Sequence, residues 1–129
     1  MASPMRKGTD MPSTDVIHRG SIDTGTYEPF DGFEAIVHGE PAAQVAWLRT
    51  SSGGEGVLYA GVFTAQPATF VYRFAGDETF HVLDGDLDVT LDGGEHLSLR
   101  PGDIVSFPKG ARSTWTLHTP FRKFFVISG

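Results

Sequence analysis

The sequence predicts an all-β domain of the sandwich or barrel type. From about residue 33 onward, short runs rich in valine, phenylalanine, leucine and threonine recur, and glycine, proline and aspartate separate them. No helical period persists for three turns, and many short strands at even spacing are typical of this fold class. The run at 86–92 alternates most clearly. Its apolar face carries Leu87, Val89 and Leu91, as a half-buried strand requires.

The chain divides into an arm and a single domain. Residues 1–30 are rich in glycine, proline, serine, threonine and aspartate and hold few large apolar side chains, which predicts a flexible N-terminal arm. Residues 31–129 are predicted to form one domain. Ten runs in this domain are predicted to be strands, in the order EAIVHG, QVAWLRT, VLYAGVFTA, TFVYRF, ETFHVL, DLDVTL, EHLSLR, DIVSFP, STWTLH and KFFVIS.

Turn residues separate these strands. In LDGDL and LDGGEHL, Asp84-Gly85 and Asp92-Gly93 each lie between two apolar runs, and Asp-Gly predicts a short hairpin because both central positions need a positive φ. Pro101-Gly102 predicts another turn, since proline fixes φ and glycine accepts the left-handed conformation.

Composition excludes several classes of function. The chain has no cysteine, so it has no disulfide, zinc–thiolate site or thiol nucleophile. A formal net charge of -6 argues against non-specific binding to nucleic acid or anionic membrane. No signal peptide and no run near the ~20 apolar residues of a membrane span is visible, so we expect a cytoplasmic protein. No Ser-His-Asp order or glycine-rich phosphate loop is present either.

Charge is distributed unevenly along the domain. Between Asp77 and Asp103 there are eight acidic residues and one basic residue, whereas from Ile104 to the end there are four basic residues and none acidic. The four are Lys109, Arg112, Arg122 and Lys123. Either neighbouring strands carry complementary surface charge, or these residues form a basic rim on a pocket for an anionic ligand.

Two motifs resemble those of the cupin superfamily. The first motif of that family ends in a glutamate, six residues and a glycine, and Glu78 and Gly85 have this spacing around TFHVLD. The second begins with glycine, five residues, proline, any residue and glycine, and GDIVSFPKG supplies all three at Gly102, Pro108 and Gly110.

The resemblance is strongest to the small cupins that include the ethanolamine-utilisation cupins and domains of ureidoglycine aminohydrolase. Trp115 after the Pro-x-Gly turn and the late Arg122-Lys123 pair are the most telling marks, and the likeness runs from about Gly39 to Ile127. It implies a double-stranded β-helix, or jelly-roll barrel, that is usually a homodimer and holds a small-molecule pocket in its interior.

The resemblance also implies where a metal would bind. Many cupins use the first-motif glutamate with three histidines, a set that suits iron, manganese, nickel or zinc. Glu78 is present. None of the three histidines is, because their positions fall at Ser113 and at either Tyr72 and Phe74 or Val71 and Arg73. The ligand pattern of the ureidoglycine enzymes is absent too. We therefore expect no metal and no cofactor.

His81 does not replace the missing ligands. It lies three residues from Glu78 on one predicted strand, and odd separations place side chains on opposite faces. If Glu78 faces inward with Phe80 and Val82, His81 points to solvent or to a subunit interface. His96 and His118 lie near strand ends and are expected to be exposed.

The same parity predicts an aromatic interior. With Ser113 facing inward, Trp115 and Leu117 follow, and Phe70, Tyr72 and Phe74 form the better core face of the earlier strand. The predicted ligand pocket consists of Tyr72, Phe74, Glu78, Phe80, Ser113 and Trp115, with Phe63 and Phe107 as further candidates. Such a set describes a small-molecule site or an ordinary packed core equally well.

Glu78 is the one candidate catalytic residue. A buried carboxylate needs a partner, here Tyr72, Ser113 or an inward arginine, and it would serve as a structural or ligand-binding group or as a general acid or base. Three hypotheses follow. The chain binds a small polar or anionic metabolite without metal; it is a hydrolase, lyase or isomerase acting through Glu78, with or without a divalent metal; or it is a dimeric structural or regulatory protein with a filled barrel.

Overall fold

A computed structural model describes residues 17–129 of the chain. They form eleven strands: β1 (Glu28–Pro29), β2 (Ala35–Gly39), β3 (Gln44–Arg49), β4 (Leu58–Ala65), β5 (Ala68–Arg73), β6 (Asp77–Asp84), β7 (Leu87–Leu91), β8 (His96–Leu99), β9 (Ile104–Phe107), β10 (Arg112–Leu117) and β11 (Phe121–Ser128). Strands β2 to β11 match the ten predicted runs in order. No helix in this part of the chain is long and apolar enough to cross a membrane.

The strands form two antiparallel sheets with one core between them. The six-stranded sheet has the order β1-β3-β4-β11-β6-β9, and the five-stranded sheet has the order β2-β5-β10-β7-β8. Trp115 on β10 packs against Phe70 of its own sheet at 5.7 Å and against Phe80 of the opposite sheet at 5.4 Å between ring centroids. The all-β prediction is confirmed.

The hairpin predicted at Asp84-Gly85 is wrong. Strands β6 and β7 on either side of it belong to different sheets, so the chain crosses from one layer to the other there. Gly85 does have a positive φ of 93°. The glycine is also needed because a Cβ at this position would lie 2.4 Å from the Pro120 carbonyl oxygen, where the chain enters β11. The local pattern fits a tight turn, but a long-range contact sets its role.

The other two predicted turns are present. Strands β7 and β8 pair as a hairpin, in which the Leu91 N–H donates to the Glu95 carbonyl at 2.8 Å and Gly94 has a φ of 100°. Gly102 after Pro101 has a φ of 96° and turns the chain from β8 into β9.

Strict alternation places the inward side chains. On β6, Glu78, Phe80 and Val82 are buried while His81 is exposed. On β10, Ser113, Trp115 and Leu117 are buried, as predicted. On β11, the buried set is Phe121, Lys123, Phe125 and Ile127. A lysine therefore occupies one core position.

The end of the predicted arm that the structure describes lies against the domain. Strand β1 pairs with β3, and the Phe30 N–H donates to the Ala43 carbonyl at 2.9 Å. Residues 18–22, Thr24 and Gly25 border a cleft on the outer face of the six-stranded sheet, and Arg122 donates to the Ile22 carbonyl at 2.7 Å. Residues 1–16 of the predicted arm fall outside the described residues, and the predicted boundary at residue 30 stays a prediction.

Candidate functional site

A lysine and a glutamate meet inside the barrel. Lys123 Nζ lies 2.5 Å from Glu78 Oε2, and the two side chains are only 7% and 1% exposed. In the pairing of β11 with β6, Lys123 lies opposite Val82, two inward positions along β6 from Glu78. The lysine side chain therefore runs along the barrel interior to reach the carboxylate. The pair compensates two charges that burial would otherwise make very unfavourable.

Aromatic rings surround the lysine ammonium. Its nitrogen lies over four rings, with distances to the ring centroids of 4.5 Å for Phe80, 4.8 Å for Trp115, 5.1 Å for Phe63 and 5.4 Å for Phe125. Contacts of this kind attract a cation to the negative faces of the rings. Burial lowers the pKa of Lys123, while the adjacent Glu78 carboxylate opposes that change.

Tyr72 holds the second oxygen of the carboxylate. Its hydroxyl donates to Glu78 Oε1 at 3.2 Å. Burial, and then the nearby carboxylate, raise the pKa of Tyr72 well above its usual range, so the phenol remains a hydrogen-bond donor at neutral pH. Both oxygens of Glu78 are therefore occupied, one by the lysine and one by the tyrosine.

Ser113 positions two of the surrounding groups without touching the carboxylate. Its hydroxyl donates to the Tyr72 carbonyl at 2.7 Å and accepts from Trp115 Nε1 at 2.8 Å. An indole N–H buried in an apolar core needs such an acceptor. The serine thus fixes the tryptophan ring beside Lys123.

Tyr72, Glu78, Trp115 and Lys123 border a small cavity of about 50 Å³. At the ~10–15 Å³ that one water-sized probe sphere needs, this volume holds about four non-hydrogen atoms. The partly exposed side chains of Phe30, Phe33 and Trp47 form its outer rim. The whole wall is made by Phe30, Phe33, Val45, Trp47, Phe63, Phe70, Tyr72, Glu78, Trp115, Lys123, Phe125 and Ile127.

The structure brings together half of the predicted pocket. Tyr72, Glu78 and Trp115 line the cavity. The other three predicted residues are buried behind this wall. Phe74 stacks on Phe107 with centroids 4.6 Å apart, Phe80 lies beneath the lysine nitrogen, and Ser113 bonds to the tyrosine backbone. Of the two further candidates, Phe63 lines the cavity and Phe107 belongs to the core.

Lys123 is the main residue of the candidate site that the sequence interpretation missed. The sequence groups it with the basic residues of the C-terminal segment, and two of those pair with surface carboxylates. Arg122 Nε lies 2.6 Å from Asp84, and Arg112 bonds to Glu34 and Asp92. Strand parity is the signal that identifies Lys123, because it lies an even number of positions from Phe121 and the other inward apolar residues of β11.

The two rim phenylalanines were missed for a different reason. Phe30 and Phe33 belong to β1's end and the segment before β2, where no strand period specifies direction. Their ring centroids lie 5.2 Å apart, and each packs edge-on against Phe63, at 5.6 Å and 6.5 Å. Long-range contacts across the cavity mouth, rather than local sequence, place them there.

The donor set around Glu78 does not fit a divalent metal. The lysine ammonium already supplies the cation at Oε2, and the positions that the resemblance assigns to the histidines carry Ser113 and either Tyr72 and Phe74 or Val71 and Arg73. Within residues 17–129, no three histidine, cysteine, aspartate or glutamate side chains are grouped to hold a metal. His81 is exposed and faces away from Glu78, as predicted, and His96 and His118 are exposed near Asp88.

Comparison with known proteins gives a family and a fold. The family model described as EutQ-like cupin domain matches residues 52–125. A putative ethanolamine utilization protein Q from Salmonella typhimurium LT2 is 27% identical with a TM-score of 0.63, and the match covers 79% of this chain and 77% of that one. The EutQ protein of Clostridium difficile is 26% identical with a TM-score of 0.58, covering 67% of each chain.

A more distant structure extends the same fold over most of the chain. An RmlC-like cupin from Shewanella frigidimarina NCIMB 400 is 18% identical with a TM-score of 0.62, and the match covers 87% of this chain and 90% of that one. At this identity the likeness shows the fold alone, the jelly roll that the two sequence motifs implied. A search of curated protein sequences finds no match.

Proposed function

Because the chain belongs to the EutQ-like cupin domain family and its barrel holds a cavity bordered by a buried Lys123–Glu78 pair, we propose that it binds a small, uncharged polar molecule there without a metal. The convergence of three polar side chains on an otherwise apolar cavity carries this proposal. A small number of placed polar groups in an apolar pocket is the usual construction of a small-molecule site.

Unused hydrogen-bonding capacity supports a polar ligand. Lys123 has three N–H bonds, and its only oxygen acceptor among the described residues is Glu78. The other two N–H bonds lie among aromatic rings. A hydroxyl or carbonyl oxygen would be a better acceptor than a ring face, so a ligand oxygen gains most beside this nitrogen.

Charge balance favours an uncharged ligand over an anionic one. The Lys123–Glu78 pair is neutral as a unit, and the four aromatic rings add no charge. An anion brought beside it would leave one net charge in a low-dielectric interior, which is unfavourable by several kcal/mol. A metabolite with one hydroxyl or carbonyl group and a short apolar body avoids that penalty.

The cavity volume limits the affinity. The best very small ligands gain at most about 1.5 kcal/mol for each non-hydrogen atom. About four atoms therefore correspond to at most about 6 kcal/mol, or a Kd no tighter than about 40 µM. Binding in the high-micromolar to millimolar range is expected, and the assay must reach such concentrations.

A titration with three ligands of three carbons each tests this proposal; propionate has five non-hydrogen atoms and the other two have four. 1-Propanol, propionate and propylamine share a three-carbon body and differ in charge. We expect 1-propanol to shift the indole N–H resonance of Trp115 saturably and the two ions to bind at least about tenfold more weakly, because each adds a buried charge. Tighter binding of propionate than of 1-propanol would favour the anionic metabolite that the sequence also allows. No saturable shift with any of the three ligands would favour a filled barrel.

A matched pair of variants confines the binding to the cavity. Val45→Phe fills the cavity from its wall and should abolish binding, at a stability cost of about 1–3 kcal/mol. Val126→Phe makes the same change on β11, between the inward residues Phe125 and Ile127 and therefore on the outer face, and it should leave binding intact. Equal binding by both variants would place the ligand elsewhere.

Two further expectations accompany this proposal. A homodimer is favoured by the family resemblance and by the exposed apolar side chains Ile36 and Val37 on the edge strand β2, which are 54% and 64% exposed. Light scattering of the purified protein tests it, and a monomer at all concentrations would reject it. A cytoplasmic location is the second expectation, and cell fractionation tests it.

A further inference from the structure

We infer that Lys123 is a nucleophile that captures a small aldehyde or ketone as an imine. This inference rests on the proposed function, because the carbonyl compound must first bind in the cavity. It adds the chemical class of the ligand and a covalent step. It follows from three features: a buried primary amine in the cavity wall, a carboxyl group in direct contact with it, and space beside both.

The environment of the amine is that of an activated lysine. A lysine reacts with carbonyl compounds only as the free amine, and a hydrophobic pocket makes this form more accessible. Lys123 is buried among four aromatic rings within 5.4 Å of its nitrogen, and its pKa is lowered. Lys109, by contrast, is exposed, and Lys7 lies outside the described residues.

Glu78 is placed to move the protons that imine formation requires. Its Oε2 contacts the amine at 2.5 Å, so a proton passes between the two groups without any rearrangement. Tyr72 holds the opposite oxygen at 3.2 Å and keeps the carboxyl oriented toward the lysine. Tyr72 is therefore a positioning residue, and Glu78 is the acid and base.

The reaction balances with these groups alone. The pair first passes its proton from the ammonium to Glu78, which leaves a free amine and a carboxylic acid. The nitrogen lone pair of Lys123 attacks the carbonyl carbon, the π electrons move to oxygen, and that oxygen takes the proton from Glu78. The resulting secondary ammonium returns a proton to the carboxylate.

Loss of water completes the capture. Glu78 donates its proton to the hydroxyl group, the C–O bond breaks, water leaves, and the nitrogen lone pair forms the C=N bond. The product is a protonated imine beside a carboxylate, so the site remains neutral overall. Nothing is oxidised or reduced, and the reaction reverses when water returns.

The cavity selects the carbonyl compounds that fit. With a volume of about 50 Å³ and mostly apolar walls, it suits an aldehyde or ketone of about four non-hydrogen atoms. A ligand with a carboxylate of its own would bring an uncompensated charge beside the pair. Short, uncharged aldehydes and ketones are therefore the expected class.

Reductive trapping with propanal tests this inference. Cyanoborohydride reduces an imine to a stable secondary amine, and peptide mapping by mass spectrometry locates the added propyl group. We expect Lys123 to be alkylated at least about tenfold faster than Lys109 in the same sample, because its pKa is lowered and the cavity holds the aldehyde beside its amine. Slower or equal alkylation of Lys123 would overturn the inference.

Variants separate a reactive lysine from a merely accessible one. Lys123→Arg keeps the charge but forms no imine, so trapping at this position should disappear while Lys109 still reacts. Glu78→Gln should slow trapping at Lys123 by about 10²-fold or more through loss of the proton carrier. If the arginine variant fails to fold, Val45→Phe keeps the lysine and fills the cavity, and it should likewise abolish trapping.

The indole N–H resonance of Trp115 reports the binding of 1-propanol and propanal, and this measurement distinguishes failure of the imine at Lys123 from failure of the binding function. If both bind but Lys123 is not trapped faster than Lys109, the imine is excluded and the binding function stands. If neither binds and no selective trapping occurs, both fail. If Glu78→Gln traps as fast as the native protein, the acid–base role of Glu78 is excluded.

Discussion

Replacing Lys123 with methionine leaves the Glu78 carboxylate in the barrel without its cation. Methionine is also unbranched and fills much of the same space, so the loss is mainly electrostatic. Removing one partner of a buried ion pair typically destabilises by about 3–5 kcal/mol. The Tyr72 hydroxyl still donates to the carboxylate, which offsets part of this loss. We therefore expect the free energy of unfolding to fall by about 3 kcal/mol.

The double variant gives the energy of the pair itself. Glu78→Gln alone should cost about 2 kcal/mol, because its amide oxygen still accepts from the ammonium. Glu78→Gln combined with Lys123→Met removes both charges and should cost only about 1 kcal/mol, since a neutral replacement of a buried pair is well tolerated. The coupling energy in the cycle is then about 4 kcal/mol.

Urea unfolding followed by circular dichroism measures this cycle. With a slope of about 1.5 kcal/mol per molar urea, a loss of 3 kcal/mol moves the midpoint by about 2 M. The matched control is the Arg122→Met and Asp84→Asn cycle, because that pair joins the same two strands at 2.6 Å but is exposed. Its coupling should stay below about 1 kcal/mol. A Lys123–Glu78 coupling as small as this control would refute the buried pair.

Three further perturbations have defined outcomes. Gly85→Ala should destabilise by about 1–3 kcal/mol because its φ is 93° and a Cβ would meet the chain entering β11. The control Gly93→Ala, in the open β7–β8 turn, should change stability by no more than about 0.5 kcal/mol. Similar urea midpoints for the two variants would contradict the close crossing of the chain between the sheets at Gly85. Ser113→Ala should cost about 1–3 kcal/mol and shift the Trp115 indole resonance, since the indole loses its acceptor, whereas the exposed Ser106→Ala should do neither. Because the folded pKa of Lys123 lies below its ordinary 10.5, the unfolded chain binds more protons between the two values. Native stability relative to the double variant should therefore rise as the pH approaches 10.5, by at most about 1.4 kcal/mol per pH unit. A fall in this difference over the same approach would contradict the lowered pKa.

Strand parity accounts for most of what sequence reasoning predicted well. A period of two assigns each side chain to a face once one member is anchored. The glutamate of the first motif anchored β6, so Glu78 was placed inward and His81 outward, as observed. Ser113 anchored β10 in the same way and placed Trp115 beside it. All ten predicted strands are present for the same reason.

At Lys123 the charge of the side chain suggested the surface, whereas strand parity suggested the interior, and the parity was right. A lysine near an arginine is usually a surface residue, and nothing local distinguishes one that pairs across strands with a carboxylate 45 residues earlier. Of the three partners expected for Glu78, namely Tyr72, Ser113 and an arginine, Tyr72 alone contacts it among the described residues, and Lys123 is the partner that was not expected. The partner of a buried charge depends on strand order, which the sequence pattern does not specify.

The turn residues predicted where the chain changes direction but not which sheet the next strand joins. Asp84-Gly85 and Asp92-Gly93 carry the same dipeptide, yet one connects two sheets and the other closes a hairpin. The glycine with a positive φ is Gly85 in the first turn but Gly94, after the dipeptide, in the second, so Asp-Gly predicts a sharp change of direction and no more. The layer that the next strand joins is decided by packing across the core.

Intermolecular nuclear Overhauser effects between 1-propanol and the protein, recorded with excess chelator present, test the central claim most directly. The account predicts contacts from the propyl protons to the rings of Trp115, Tyr72 and Phe63, which line the cavity together. It also predicts that the chelator has no effect on them. Contacts confined to the outer cleft near Ile22 and Leu48, or contacts that require an added metal, would contradict it.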